Sequence, residues 1–96
     1  MARIVRTTLA RADLRDIWLY IAEDNIDAAD RFLDRIDRTI RMLAGNPGLG
    51  ECQDDLKQGL RRFVFSNYLV FYEPIRDGIR VVRVLHGAQR WEDAFG

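Results

Sequence analysis

From position 29 to position 43 an apolar residue recurs every three or four places: Ala29, Phe32, Leu33, Ile36, Ile40 and Leu43. That spacing is the period of an α-helix with one apolar face, and such a helix must bury the face against another layer. Asn25 or Asp27 supplies the capping side chain at its start, and Gly45-Asn46-Pro47-Gly48 stops it with a glycine cap and a proline just beyond. The pairs Asp27/Arg31, Asp34/Arg38 and Asp37/Arg41 each place the acid four residues before the base, which predicts an ion-paired, solvated outer face.

The preceding segment supplies a partner helix. Leu14, Ile17, Trp18 and Ile21 form one stripe over roughly 9–24, with Thr8 as its expected N-cap, and residues 3–7 read as a short strand before it. After a polar loop to Gly59, the stretches 60–65, 68–73 and 79–86 are rich in β-branched and aromatic residues. Ser66-Asn67 and Asp77-Gly78 are the expected turns. The pattern predicts one α+β domain over 1–96 in two layers: an N-terminal strand and an α-helical hairpin packed on an antiparallel β-sheet meander. Trp18, Ile21, Phe32, Ile36 and Ile40 are the expected core between helices and sheet.

Charge narrows the function. Fifteen basic and fifteen acidic residues cancel, with eight of each in 1–50 and seven of each in 51–96. A general nucleic-acid coat would carry a basic excess, because affinity for a phosphate backbone comes from neutralising it, so direct sequence-specific nucleic-acid binding is not expected. Locally, Arg61, Arg62, Arg76, Arg80, Arg83 and Arg90 gather in the last 36 positions. No stretch approaches the ~20 apolar residues of a membrane helix, and the single cysteine, Cys52, excludes an internal disulfide. A cytoplasmic protein with no membrane partner is expected.

Familiar site chemistries fit poorly. Cys52 and His86 would make a nucleophile and base, but Glu51, Asp54 and Asp55 flank the thiol and disfavour its thiolate. One histidine and one cysteine do not make a zinc site, and arginines neutralise Asp30, Asp34 and Asp37, so no metal and no cofactor is expected. Gly45-x-x-Gly48-x-Gly50 follows a helix and precedes none, so it lacks the setting of a phosphate loop. The sheet end is the better candidate: Arg83, His86, Arg90 and Trp91 fall together there as a contact site, unless Trp91 instead packs the tail onto the core.

Several short segments stand in a fixed order: Ala12-Asp13-Leu14 with Ile17-Trp18-x-Tyr20-Ile21-Ala22; Asn25 with Ala28-Ala29; and Leu43-Ala44-x-x-Pro47-x-x-Gly50. Gly59-Leu60-Arg61, Tyr68-Leu69-Val70-Phe71-Tyr72 and Val82-Arg83-Val84-Leu85-His86-Gly87-x-x-Arg90 follow. Taken together, they resemble the RelE/ParE toxin superfamily, the ParE branch in particular. The resemblance implies a strand, a helical hairpin and an antiparallel meander, with the first strand beside the last. It further implies the toxin of a type II toxin–antitoxin pair, in a hetero-oligomer with a cognate antitoxin and with DNA gyrase as target. The sister RelE branch cuts messenger RNA on the ribosome, with basic residues and often a C-terminal tyrosine. The late aromatic here is Phe95, which has no hydroxyl to move a proton. The expected target contacts are Arg61, Arg83, His86, Arg90 and Trp91. The expected antitoxin contacts are Trp18, Ile21, Phe32 and Ile36, in a groove across the hairpin and a sheet edge. The alternatives are a RelE-type messenger-RNA endonuclease, in which Arg61, Arg83 and His86 act on the phosphate, and a non-toxic antitoxin-binding module.

Overall fold

A computed structural model describes residues 2–95. Strand β1 (Arg3–Arg6) leads into helices α1 (Thr8–Ala22) and α2 (Ile26–Gly45). Strands β2 (Glu51–Cys52), β3 (Arg61–Phe65), β4 (Tyr68–Ile75) and β5 (Gly78–His86) follow, and a 3-10 turn, Trp91–Ala94, ends the described chain. The five strands form one sheet in the order β1-β5-β4-β3-β2. The β3-β4-β5 meander is antiparallel as expected, but β1 joins β5 in parallel, so the sheet is mixed.

The caps explain the helix starts. Thr7, not Thr8, caps α1, its hydroxyl accepting from the Ala10 amide at 3.0 Å and donating to the Val82 carbonyl at 2.8 Å. One side chain thus starts the helix and ties it to β5. Asn25 caps α2, with Oδ1 accepting from the Ala28 amide at 3.0 Å. At the other end the helix includes Gly45, and Asn46 closes it, with its backbone N–H donating to Leu43 O and its Nδ2 to Met42 O.

Burial follows the α2 stripe. Phe32, Ile36, Ile40, Leu43 and Ala44 pack with Val70, Tyr72, Ile79, Val81 and Val84 of the sheet. Phe32 makes edge contacts with Phe65 at 5.5 Å and Tyr68 at 5.3 Å. From α1 the buried residues are Ala10 and Ile17, with Leu14 and Ile21 partly covered. Trp18 is outside this cluster: the indole N–H donates to Asp30 at 2.9 Å and the ring is half-buried. The α1 stripe runs one position earlier than its bulkiest residue suggests. Of the three expected acid–base pairs on α2, only Asp37/Arg41 closes within ion-pair distance, and Asp37 is also held by Arg6 from β1 at 2.7 Å.

Other expectations also shift. The polar loop contains β2, whose two residues pair with Arg62 and Arg61. The last hairpin turns through Arg76-Asp77, and Gly78 is the first residue of β5, opposite Arg3. A Cβ on Gly78 would fall 1.7 Å from the Arg3 carbonyl oxygen, so this glycine serves the close approach of β1 and not the turn. A second apolar cluster, Leu60, Leus 69 and 85 and Phe71, lies apart from the helix-side core and is covered by Leu56, Trp91 and Phe95.

Ile36 is 1% exposed at the centre of the helix-side core. Ile36→Ala should cost about 2–5 kcal/mol in denaturant unfolding, from lost burial plus the cavity left behind. A loss under about 1 kcal/mol would place the wrong face of α2 against the sheet.

Candidate functional site

Strand β1 stops at Arg6, opposite Val81, so the edge of β5 from Val82 to His86 runs on without a strand neighbour. Asp13 of α1 closes part of that edge. Its Oδ2 accepts from the Val84 amide at 2.9 Å and from Arg83 Nε at 2.8 Å, and its Oδ1 accepts from Arg83 Nη2 at 2.9 Å. A register irregularity at Phe71/Tyr72 leaves an extra residue in β5 just before Arg83, the kind of bulge that re-aims the side chains after it. The fork-on-carboxylate pair is largely covered, with side-chain exposures of 21% and 13%. The hydrogen bonds that Arg83 donates to Asp13 push the Arg83 pKa further up against the opposing effect of burial, so this side chain stays a cation. Arg83 had no acid near it in sequence; the fold brings one from 70 positions away. That pairing ties Arg83, one of the expected target contacts, to α1.

Arg61 is occupied too. Its Nη1 donates to the Gly50 carbonyl at 2.6 Å and the Gly48 carbonyl at 3.2 Å. Beside it the Tyr72 hydroxyl, fully buried, donates to Pro47 O at 2.8 Å and accepts from the Gly50 amide at 2.7 Å. A Cβ on Gly50 would lie 2.6 Å from that hydroxyl, so only glycine admits it. Burial pushes the Tyr72 pKa up, partly offset by the Gly50 hydrogen bond and the Arg61 charge. Arg61 and Tyr72 together hold the loop that joins α2 to the sheet.

The remaining sheet-end residues divide between the two faces. Exposed His86 meets Tyr68 edge-on at 5.2 Å, and its Nδ1 accepts from the Ala88 amide at 3.0 Å, which assigns the proton of the neutral ring to Nε2. His86 and Arg83 line a groove of about 350 Å³ with Asp13, Asp16, Tyr20 and Tyr68. Trp91 belongs to the other cluster: its ring lies 5.4 Å from Phe71, Phe95 lies 4.8 Å from the same ring, and the Arg62 guanidinium covers Trp91 at 5.1 Å. Trp91 therefore packs the tail onto the sheet. Arg62 also bonds Glu51 at 2.8 Å. Arg90 is 89% exposed and only loosely paired with Asp93 at 3.5 Å.

The expected antitoxin contacts also separate. Phe32 and Ile36 are buried in the core, where the sheet already satisfies the stripe that a partner was expected to cover. Trp18 and Ile21 remain half-exposed. The large apolar side chains that do face solvent include Leu9, Leu19, Tyr20 and Ile26. Nothing in the spacing of Tyr20 along α1 separates an exposed tyrosine from a covered one. Cys52 pairs with Arg61 at one end of β3, whereas His86 pairs with Tyr68, opposite Phe65 at the other end, so the two do not meet. The Cys52 thiol instead donates to Asp54 at 3.0 Å, and that bond holds the Asp54 pKa down.

Residues 4–91 match the family model described as the ParE toxin of the type II toxin–antitoxin system, parDE. The chain belongs to the ParE toxin family. It is 39% identical over 80 residues to "Toxin ParE1" of Caulobacter vibrioides, covering 80% of each chain. It is 31% identical over 87 residues to "Toxin ParE1" of Mycobacterium tuberculosis, covering 88% of this chain and 89% of the relative. A solved chain from the chromosomal ParDE TA system of P. aeruginosa superposes with a TM-score of 0.73 over 90% of this chain and 96% of that one. At 20% identity that likeness speaks to the fold. The ParE match begins in β1 and reaches Trp91, so it spans the Asp13–Arg83 pair, the Arg61 loop and the sheet end.

Tyr72→Phe tests the loop anchor. It leaves the buried Gly50 amide unpaired and should cost about 1–3 kcal/mol at neutral pH. Because the folded-state pKa of Tyr72 is raised, its contribution is complete below the ordinary tyrosine value of 10.0 and is lost as pH rises past it. The gap between wild type and Tyr72→Phe in urea unfolding should therefore narrow above pH 10, with Tyr68 present in both proteins. A gap independent of pH, or no gap at neutral pH, would contradict the anchor.

Proposed function

We propose that this ParE-family toxin arrests bacterial growth by binding DNA gyrase in the cytoplasm, without chemistry of its own, until a cognate antitoxin covers it. The observation that carries the binding reading is the commitment of the arginines that phosphate chemistry would need. Arg83 is gripped by Asp13, and Arg61 by two loop carbonyls. The Tyr72 hydroxyl is buried and already both donates and accepts, and Phe95 rests on Phe71. Moving any of these onto an RNA phosphate would dismantle a contact that holds the fold. The family match and the relatives named as ParE toxins support the same reading, and the solved ParDE system supports an antitoxin as partner. Arg90 and His86 are the accessible members of the expected target-contact set.

Inducing the protein alone in bacteria tests this. Loss of negative supercoiling and an early DNA-damage response, with protein synthesis continuing, is the expected result. Prompt translation arrest would instead indicate messenger-RNA cleavage, and undisturbed growth a non-toxic antitoxin-binding module. Arg90→Ala should weaken growth inhibition without moving the melting temperature, and His86→Gln should retain toxicity. A loss of about 100-fold in the activity of His86→Gln would point to proton transfer by this ring and against the proposal.

A further inference from the structure

Tyr20 is 73% exposed, the most exposed of the large apolar and aromatic side chains facing solvent, and it sits in the last turns of α1 near the closed end of the hairpin. It is shared by two adjoining depressions. One is the groove of about 350 Å³ that runs to Tyr68 and His86, and the other, of about 530 Å³, is lined by Glu23, Asp24 and Asn25. Four carboxylates line the pair, those of Asp13, Asp16, Glu23 and Asp24, against one arginine, Arg83, which Asp13 already binds. Asp16 has only a loose contact with Arg15 at 3.8 Å, both side chains about 70% exposed, and such pairs hold little. Among the described residues Glu23 and Asp24 have no basic partner within 4.0 Å, and the last turn of α1 carries no basic residue. In a chain with no net charge overall, three carboxylates without firm partners gather beside one exposed aromatic ring.

We propose that Tyr20 and the surrounding Asp16, Glu23 and Asp24 dock a basic segment of the antitoxin, with an arginine or lysine of that segment seated over the Tyr20 ring. This rests on the antitoxin partnership inferred above. The chemistry selects the occupant. An acidic segment would be repelled, and a purely apolar one would strip water from the carboxylates and return no charge to them. A cation satisfies the carboxylates and lies on the ring face, where guanidinium and ammonium groups bind favourably. Two depressions that share Tyr20, with Leu19 and Ile26 exposed on the same helical hairpin, suit an extended or helical segment carrying both basic and apolar side chains.

The experiment titrates the purified antitoxin into this chain by calorimetry at low and high salt. The variants are Tyr20→Ala, Tyr20→Phe and the triple Asp16→Asn, Glu23→Gln, Asp24→Asn, each checked by thermal unfolding. Tyr20→Ala and the triple variant should each weaken binding about tenfold or more, and the triple should lose most of the salt dependence. Tyr20→Phe should bind nearly as wild type, because the ring face and not the hydroxyl receives the cation. All variants should still arrest growth when no antitoxin is present. If wild type forms the complex and the variants bind equally well, the docking site is wrong and the toxin reading stands. If the variants lose toxicity while keeping antitoxin affinity, the face belongs to the target and the proposal falls. If wild type binds no antitoxin, both fall.

Discussion

The structure depends on how the open half of β5 is closed. β1 pairs with β5 in parallel only as far as Val81, and beyond that point the last strand would present bare main-chain groups along its edge. The carboxylate of Asp13 takes the Val84 amide, and the Thr7 hydroxyl takes the Val82 carbonyl. Both come from α1 or its cap, so the helical hairpin is fastened to the sheet through polar groups on the same edge that β1 leaves unpaired. Arg83 completes the arrangement by neutralising the carboxylate that does this. The apolar stripe of α2 packs on the same sheet.

Much of this was legible in sequence because it is periodic. The stripe from Ala29 to Leu43 predicted α2 and its buried face, and the three aromatic and β-branched runs predicted the meander. The features that escaped are those set by partners far along the chain. β2 is two residues long and exists through its pairing with Arg61 and Arg62, so it has no pattern of its own. Gly78 looked like a turn residue because the approach of Arg3 cannot be read locally. Trp18 shares the helical stripe of Leu14, Ile17 and Ile21, yet its indole N–H needs a partner and finds Asp30 at the surface.

The candidate site divides for the same reason. Sequence grouped Arg83, His86, Arg90 and Trp91 by proximity along the chain, but alternation along β5 and the turn after it send them to different places. Trp91 crosses to the cluster built on Phe71, Arg83 turns into α1, and His86 and Arg90 stay in reach of solvent. Arginine does not disclose its role in sequence: its planar fork serves a buried carboxylate as well as it serves a partner's phosphate. In this ParE-family fold Arg61 and Arg83 are held internally, whereas Arg90 and Tyr20 are exposed.

The proposed function has Arg83 serving the fold through Asp13 and not contacting a target directly. A double-mutant cycle in urea unfolding, with Asp13→Asn, Arg83→Gln and the two combined, measures it most directly. The account predicts that each single change destabilises the fold and that the two couple by about 1–3 kcal/mol, since they break one shared pair. Additive effects near zero, with Arg83→Gln fully folded yet no longer toxic, would make Arg83 a target contact and contradict the account.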